Sequence, residues 1–99
     1  MKTAVLIPCL NEVSTIEKVI NQFKVCLEDA TIYVYDNGST DGTAEKAENA
    51  GAKVKREFSL GKGNVVRRMF AEIDADVYLL IDGDDTYDSQ VVKDLVEHL

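Results

Sequence analysis

Val77-Tyr78-Leu79-Leu80-Ile81-Asp82-Gly83-Asp84-Asp85-Thr86-Tyr87-Asp88 runs from an apolar, β-rich segment of strand length straight into four aspartates. Such a run reads as a buried strand that delivers acid to the edge of a sheet. In extended chain the side chains at i and i+2 point the same way, so Asp82 and Asp84 face one ligand together, and Gly83 lets backbone approach it. Two adjacent carboxylates repel unless a positive charge sits between them. A hard divalent cation, Mg²⁺ or Mn²⁺, shared with a substrate phosphate, is the usual solution. The plainer alternative is a solvated strand-to-helix turn in which Asp88 caps the next helix, and for Asp88 itself that role suffices. A calcium loop is excluded, because Tyr87 stands where the obligatory glycine belongs and Lys93 where the bidentate glutamate belongs.

Working outward from this stretch, the same strand-then-motif pattern recurs three times. Thr3-Ala4-Val5-Leu6-Ile7 is a buried first strand expected to end at Pro8, the only proline. A capping box Ser14-x-x-Glu17 then opens a helix with Ile16, Val19, Ile20, Phe23 and Leu27 on one face. Thr31-Ile32-Tyr33-Val34-Tyr35 is a second strand, followed by the turn-rich loop Asp36-Asn37-Gly38-Ser39-Thr40-Asp41-Gly42-Thr43. Thr40 or Asp41 is expected to cap a helix carrying Ala44, Ala47 and Ala50, with Gly51 as its C′ residue. Ala52-Lys53-Val54-Lys55-Arg56 predicts a short edge strand with both lysines in solvent. Gly61-Lys62-Gly63 precedes a helix with Val66, Met69, Phe70 and Ile73, exposing Arg67 and Arg68. After the strand at 77–81, Val92, Leu95, Val96 and Leu99 mark a last helix, with His98 at its surface.

The order is therefore β-α-β-α-β-α-β-α, which predicts an α/β fold, a three-layer α/β/α sandwich around a parallel, doubly wound sheet. Ligands of such sheets bind beyond the carboxyl ends of the strands, and all four motif-bearing loops follow strands. Their convergence on one rim predicts one site. Within it, Asp36 accepts a hydrogen bond from a base N–H or a ribose hydroxyl, or else closes an Asx-type turn. Asn11 and Glu12 either contact the ligand or begin the first helix. Gly61-Lys62-Gly63 offers backbone N–H groups, a helix dipole and an ammonium to a diphosphate, or is a flexible connection with a solvated lysine. It is not a Walker-type phosphate loop, since Gly63 stands where Ser or Thr is required.

Bulk properties narrow the function classes. The chain of 99 residues bounds the protein at one domain or part of one. Eighteen acidic against eleven basic residues give a net charge of −7, which argues against a nucleic-acid or anionic-membrane surface. Cys9 and Cys26 lack metal-ligand spacing and a signal peptide, as expected of reduced thiols in the cytoplasm, and no apolar run is long enough to span a membrane.

Taken together, Ile7-Pro8-Cys9-Leu10-Asn11-Glu12, the run from Tyr35 through Asp36-Asn37-Gly38-Ser39-Thr40-Asp41-Gly42 to Thr43, Gly61-Lys62-Gly63 and Asp82-Gly83-Asp84-Asp85 resemble the amino-terminal half of a family 2 glycosyltransferase with the GT-A fold. The resemblance implies a Rossmann-like sheet and inverting transfer of a sugar from a UDP- or GDP-linked donor to an acceptor, with Mg²⁺ or Mn²⁺ on the diphosphate. It implies that Pro8, Asn11 and Glu12 lie against the nucleoside and that Asp36 contacts base or ribose. Gly38 and Lys62 join them at the donor, and Asp82 and Asp84 form the D-x-D motif, Asp84 being the catalytic position. Asn37 stands where many members carry a second Asp. Residues 1–99 are then the donor-binding half of a domain about twice this size, without its acceptor site and general base, and inactive alone. The strand at 77–81 would present an apolar edge through which two copies pair. A competing enzyme reading takes Asp82-x-Asp84-x-Thr86 as the start of a haloacid-dehalogenase-type phosphohydrolase with Asp82 as nucleophile. A non-catalytic nucleotide-binding module is the third.

Overall fold

The computed structural model describes residues 2–57, 61–81 and 94, apart from the side chain of Lys62. Its elements are β1 (Thr3–Cys9), α1 (Ile16–Cys26), β2 (Thr31–Asp36), α2 (Thr43–Asn49), β3 (Lys53–Arg56), α3 (Lys62–Glu72) and β4 (Val77–Leu80). The four strands form one sheet in the order β3-β2-β1-β4, parallel at each pairing. The period of two along each strand sorts side chains onto two faces. Val5, Ile7, Cys9, Ile32 and Val34 pack with Ile16, Val19, Ile20 and Phe23 of α1 and Ala47 of α2. Ala4, Leu6 and Tyr35 pack on the opposite face with Val65 and Met69 of α3 and with Ile73. The chain crosses from β1 through β2 to β3 in one direction and returns past them to β4. Crossovers of one hand then require α3 to cover the other face, as it does. The expected α/β/α sandwich is therefore the observed architecture.

Local chemistry departs from expectation in several places. The Ser14–Glu17 capping box does not form. Thr15 is the N-cap, without a side-chain cap bond, and the first turn is instead organised by the Glu12 carbonyl, which accepts Thr15 N–H at 3.1 Å and Ile16 N–H at 2.9 Å. Pro8 does not end β1, which continues to Cys9. Alternation explains this: Leu6, of the same parity, turns its carbonyl to Ile81 of the β4 side (2.9 Å), whereas Cys9 O accepts Asn37 N–H on the β2 side (2.9 Å). The missing N–H of Pro8 thus removes nothing from the β1–β2 ladder.

In α3 the buried stripe is Val65, Met69 and Ile73 rather than Val66 and Phe70; Phe70 is 45% exposed. Adjacent apolar pairs at 65–66 and 69–70 satisfy helical spacing in two phases, and the sheet selects the first. Phe70 lays its ring against Tyr78, centroids 5.1 Å apart. Lys53 and Lys55 are exposed on β3 as expected, yet each ammonium sits 5.8 Å from a tyrosine ring, Tyr33 and Tyr35 respectively. Lys55 also pairs with Glu57 (3.3 Å) and Glu72. Gly51, at φ +100°, closes α2 in the left-handed conformation expected of a C′ glycine. Of the expected last helix, Asp94 is helical, and Val92, Leu95, Val96, His98 and Leu99 lie outside the described residues. No helix among the described residues is long and apolar enough to cross a membrane.

Candidate donor site at the carboxyl rim of the sheet

The parallel sheet brings the loops after β1, β2 and β3 to one rim by topology alone. Chain direction across the sheet reverses between β1 and β4, and the crevice expected at such a switch point is present. A cleft of about 210 Å³ is lined by Pro8, Cys9, Leu10 and Glu12 after β1, Asn37 after β2 and Val65 of α3. Ile81, buried and bonded to Leu6 O, carries the chain to this rim immediately before Asp82. Asp82 and Asp84 lie outside the described residues. Among those described, no group of three or more His, Cys, Asp or Glu side chains is placed to hold a metal.

At Asp36 the turn geometry is realised. The residue is 1% exposed; its Oδ1 accepts Ser39 N–H at 3.1 Å and the Ser39 hydroxyl, with Cys9 Sγ 4.0 Å away. Asp36 is not among the residues that line the cleft, whereas the next residue is. Asn37 Oδ1 is buried without a hydrogen-bond partner among the described residues. A buried acceptor left open costs on the order of 1–3 kcal/mol, which is the signature of a group awaiting a ligand or water. Gly38, at φ +93°, makes the turn between Asn37 and Ser39, so its contribution is backbone shape.

Asn11 does not begin α1. It adopts φ +53°, a conformation asparagine tolerates better than most residues, and ties the two loops together: its N–H donates to Ser39 Oγ (2.8 Å) and its Oδ1 accepts Thr40 N–H (2.9 Å). Glu12 N–H donates to Thr43 Oγ1 (2.9 Å). Asp41 takes the capping role expected of it, although Gly42 is the formal N-cap of α2. Its Oδ1 accepts the N–H (3.1 Å) and hydroxyl of Thr43, and its Oδ2 accepts Val13 N–H (3.2 Å). Hydrogen bonding to the Thr43 hydroxyl, with the backbone N–H groups of Val13 and Thr43 adding to it, holds the Asp41 carboxyl below the usual range. Burial pushes the Cys9 thiol far up, reinforced by the charges of Asp36, Glu12 and Asp41, so it is a neutral wall of the cleft.

Gly61 caps α3 in extended conformation and Lys62 is its first residue. A Cβ added at Gly61 or Gly63 would meet nothing within 4 Å among the described residues, so their packing does not demand glycine at either position. Cys9, Leu10, Asn37 and Val65 are cleft residues that motif reading did not single out as ligand-contacting. The alternation along β1 and β2 carried a signal for Cys9; nothing in helical spacing marked Val65 over Val66.

Residues 4–99 match the family profile described as Glycosyl transferase family 2. Protein RfbJ of Shigella flexneri is 57% identical over 96 residues, covering 97% of this chain and 74% of its own length. Glycosyltransferase AglJ of Haloferax volcanii is 39% identical over 98 residues, covering 96% of this chain and 31% of its own. A crystal structure of glucosyl-3-phosphoglycerate synthase from Mycobacterium tuberculosis, in complex with Mn²⁺, uridine diphosphate and glucosyl-3-phosphoglycerate, superposes with a TM-score of 0.75. It is 30% identical, and the match covers 86% of this chain and 35% of that one. The chain thus spans about a third of the length of the last two.

Proposed function

The chain belongs to glycosyl transferase family 2, and we propose that it forms the donor-binding half of a GT-A transferase domain, holding a nucleoside diphosphate sugar at the rim cleft. The observation that carries this reading is the cleft at the switch point, with Asn37, whose buried Oδ1 has no partner among the described residues, in its lining and Ile81, just after β4, bonded to Leu6 of β1. The base enters between Pro8, Glu12 and Asn37, while Asn11 and Asp36 shape the surrounding loops. UDP is favoured over GDP by the uridine diphosphate complex of the synthase. The diphosphate lies toward the start of α3 at Gly61, Lys62 and Gly63, where helix N–H groups and the charge that lysine carries favour a negative group.

Asp82 and Asp84 hold Mn²⁺ or Mg²⁺, a role supported by the Mn²⁺ in the synthase complex. When bound, the metal offsets charge on the departing diphosphate. The acceptor site, and the base that deprotonates the acceptor hydroxyl, belong to the other half of such a domain, and transfer is inverting and takes place in the cytoplasm. The family membership sets aside Asp82 as a phosphohydrolase nucleophile.

The test is an amide NMR titration of this chain with UDP and with GDP, each with Mn²⁺ replaced by diamagnetic Mg²⁺ and then with chelator. Metal-dependent shifts at Glu12, Asn37, Asp82 and Asp84, lost in Asp82→Asn and Asp84→Asn, are expected. A folded sample that shifts with neither nucleotide overturns the reading. Dimerisation through β4 rests on its place at the sheet edge among the described residues and on Leu80, 50% exposed; a monodisperse monomer in light scattering overturns that part.

A further inference from the structure

The β1–β2 ladder ends at the Cys9–Asp36 pair and the Asn37 N–H to Cys9 O bond. Beyond it no strand pairing holds the two loops that supply most of the cleft wall, so side chains must do so. Ser39 sits where both loops meet. Its hydroxyl donates to Asp36 Oδ1, the buried carboxylate at the end of β2, and the same oxygen accepts Asn11 N–H at 2.8 Å from the loop after β1. Its own N–H adds a second bond to Asp36 Oδ1. A hydroxyl suits this place because one atom both donates and accepts; alanine does neither, and a carboxylate could not donate to Asp36.

We infer that Ser39 is a positioning residue of the cleft: it clamps the loop after β1 to Asp36 and, with the Asn11–Thr40 and Glu12–Thr43 bonds beside it, sets the distance between Glu12 and Asn37 across the ligand. The inference rests on the donor-site reading above and extends it to a residue that does not line the cleft. The relay explains two otherwise separate facts. Asp36 is buried with its Oδ1 occupied by protein because it is the anchor of the clamp. Asn11 holds a left-handed conformation because that turn aims its N–H at Ser39 while its side chain reaches Thr40.

The experiment compares the unsubstituted chain with Ser39→Ala and Ser39→Thr by UDP titration in the presence of Mg²⁺ and by amide hydrogen exchange. Ser39→Ala is expected to weaken UDP binding about tenfold, the worth of one hydrogen bond to a charged group, and to speed exchange at Asn11 and Glu12. Ser39→Thr, which keeps the hydroxyl, restores both. Unchanged affinity in a folded Ser39→Ala protein overturns the inference even if exchange rises, because Ser39 is then a structural tie only. Should Ser39→Ala not fold, Ser39→Cys fills the same space with a weak donor and is judged by the same two readouts. If the unsubstituted chain binds neither UDP nor GDP, the donor reading fails. The inference that rests on it then falls as well, since faster exchange in Ser39→Ala would by itself mark only a structural tie.

Discussion

Asp41 and Val13 lie in different loops, and the Asp41 carboxylate accepts the Val13 backbone N–H at 3.2 Å while it also holds Thr43 at the start of α2. One exposed side chain therefore begins a helix and pins the approach to another. Asp41→Ala is expected to lower the urea midpoint. The carboxyl is held below its ordinary value, so its contribution is complete above about pH 4 and disappears as pH falls through the lower folded-state value. Stability measured against pH should show the gap between the unsubstituted protein and Asp41→Ala closing as the solution is acidified. A gap independent of pH would contradict the assignment.

Tyr35 is 4% exposed and donates to Glu72 Oε1 at 3.0 Å. Burial, with the hydrogen bond and charge of Glu72 adding to it, pushes its phenol up to about 12. Folding therefore favours the neutral form: this stabilisation is whole below about pH 10 and is lost as pH rises toward 12. Absorbance titration should find a late-ionising tyrosine that Tyr35→Phe removes, and the variant should lose less stability across that interval.

The two thiols should differ in reactivity. Cys9 is buried with its thiol kept neutral, whereas Cys26 is half-buried at the end of α1. Iodoacetamide at pH 8 should label Cys26 first in the native protein, with both residues labelled in urea, as read by peptide mass. Prior labelling of Cys9 would mean that the cleft opens far more than its packing allows.

Truncations in α3 test which face is inside. Met69→Ala removes a fully buried side chain and should cost about 2–5 kcal/mol. Phe70→Ala loses an exposed ring's contact with Tyr78 and should cost about 1 kcal/mol. Denaturant unfolding of the two variants distinguishes the faces directly, and equal losses would contradict the observed phase of the helix.

The strands and their alternation with helices were legible because runs such as Val5-Leu6-Ile7 and Ile32-Tyr33-Val34 are apolar, β-branched or aromatic and bounded by turn residues. From those alone the parallel sheet and the shared rim follow. The phase of α3 was not legible, since apolar pairs at 65–66 and 69–70 offer two equivalent stripes and only the sheet chooses. Nor was the start of α1: Ser14 and Glu17 have the spacing of a capping box, but the Glu12 carbonyl takes the first N–H groups. In the site, Asp36 attracted a ligand role because a strand-end acid suits one. Ser39, three residues on, satisfies it from within the chain, which only three-dimensional placement shows.

The central position of β1 has a consequence for synthesis. Its pairing with β2 is available early, but its other edge waits for β4, and Lys2 meets Asp76 across 74 residues of chain. A nascent chain that has exposed β1, β2 and β3 can form a three-stranded sheet in which β1, destined for the interior, is still an edge strand. Until Val77 to Leu80 emerge, that bare edge is open to pairing with a neighbouring polypeptide. Slowed translation between β3 and β4 should therefore raise aggregation more than an equal delay placed before β2.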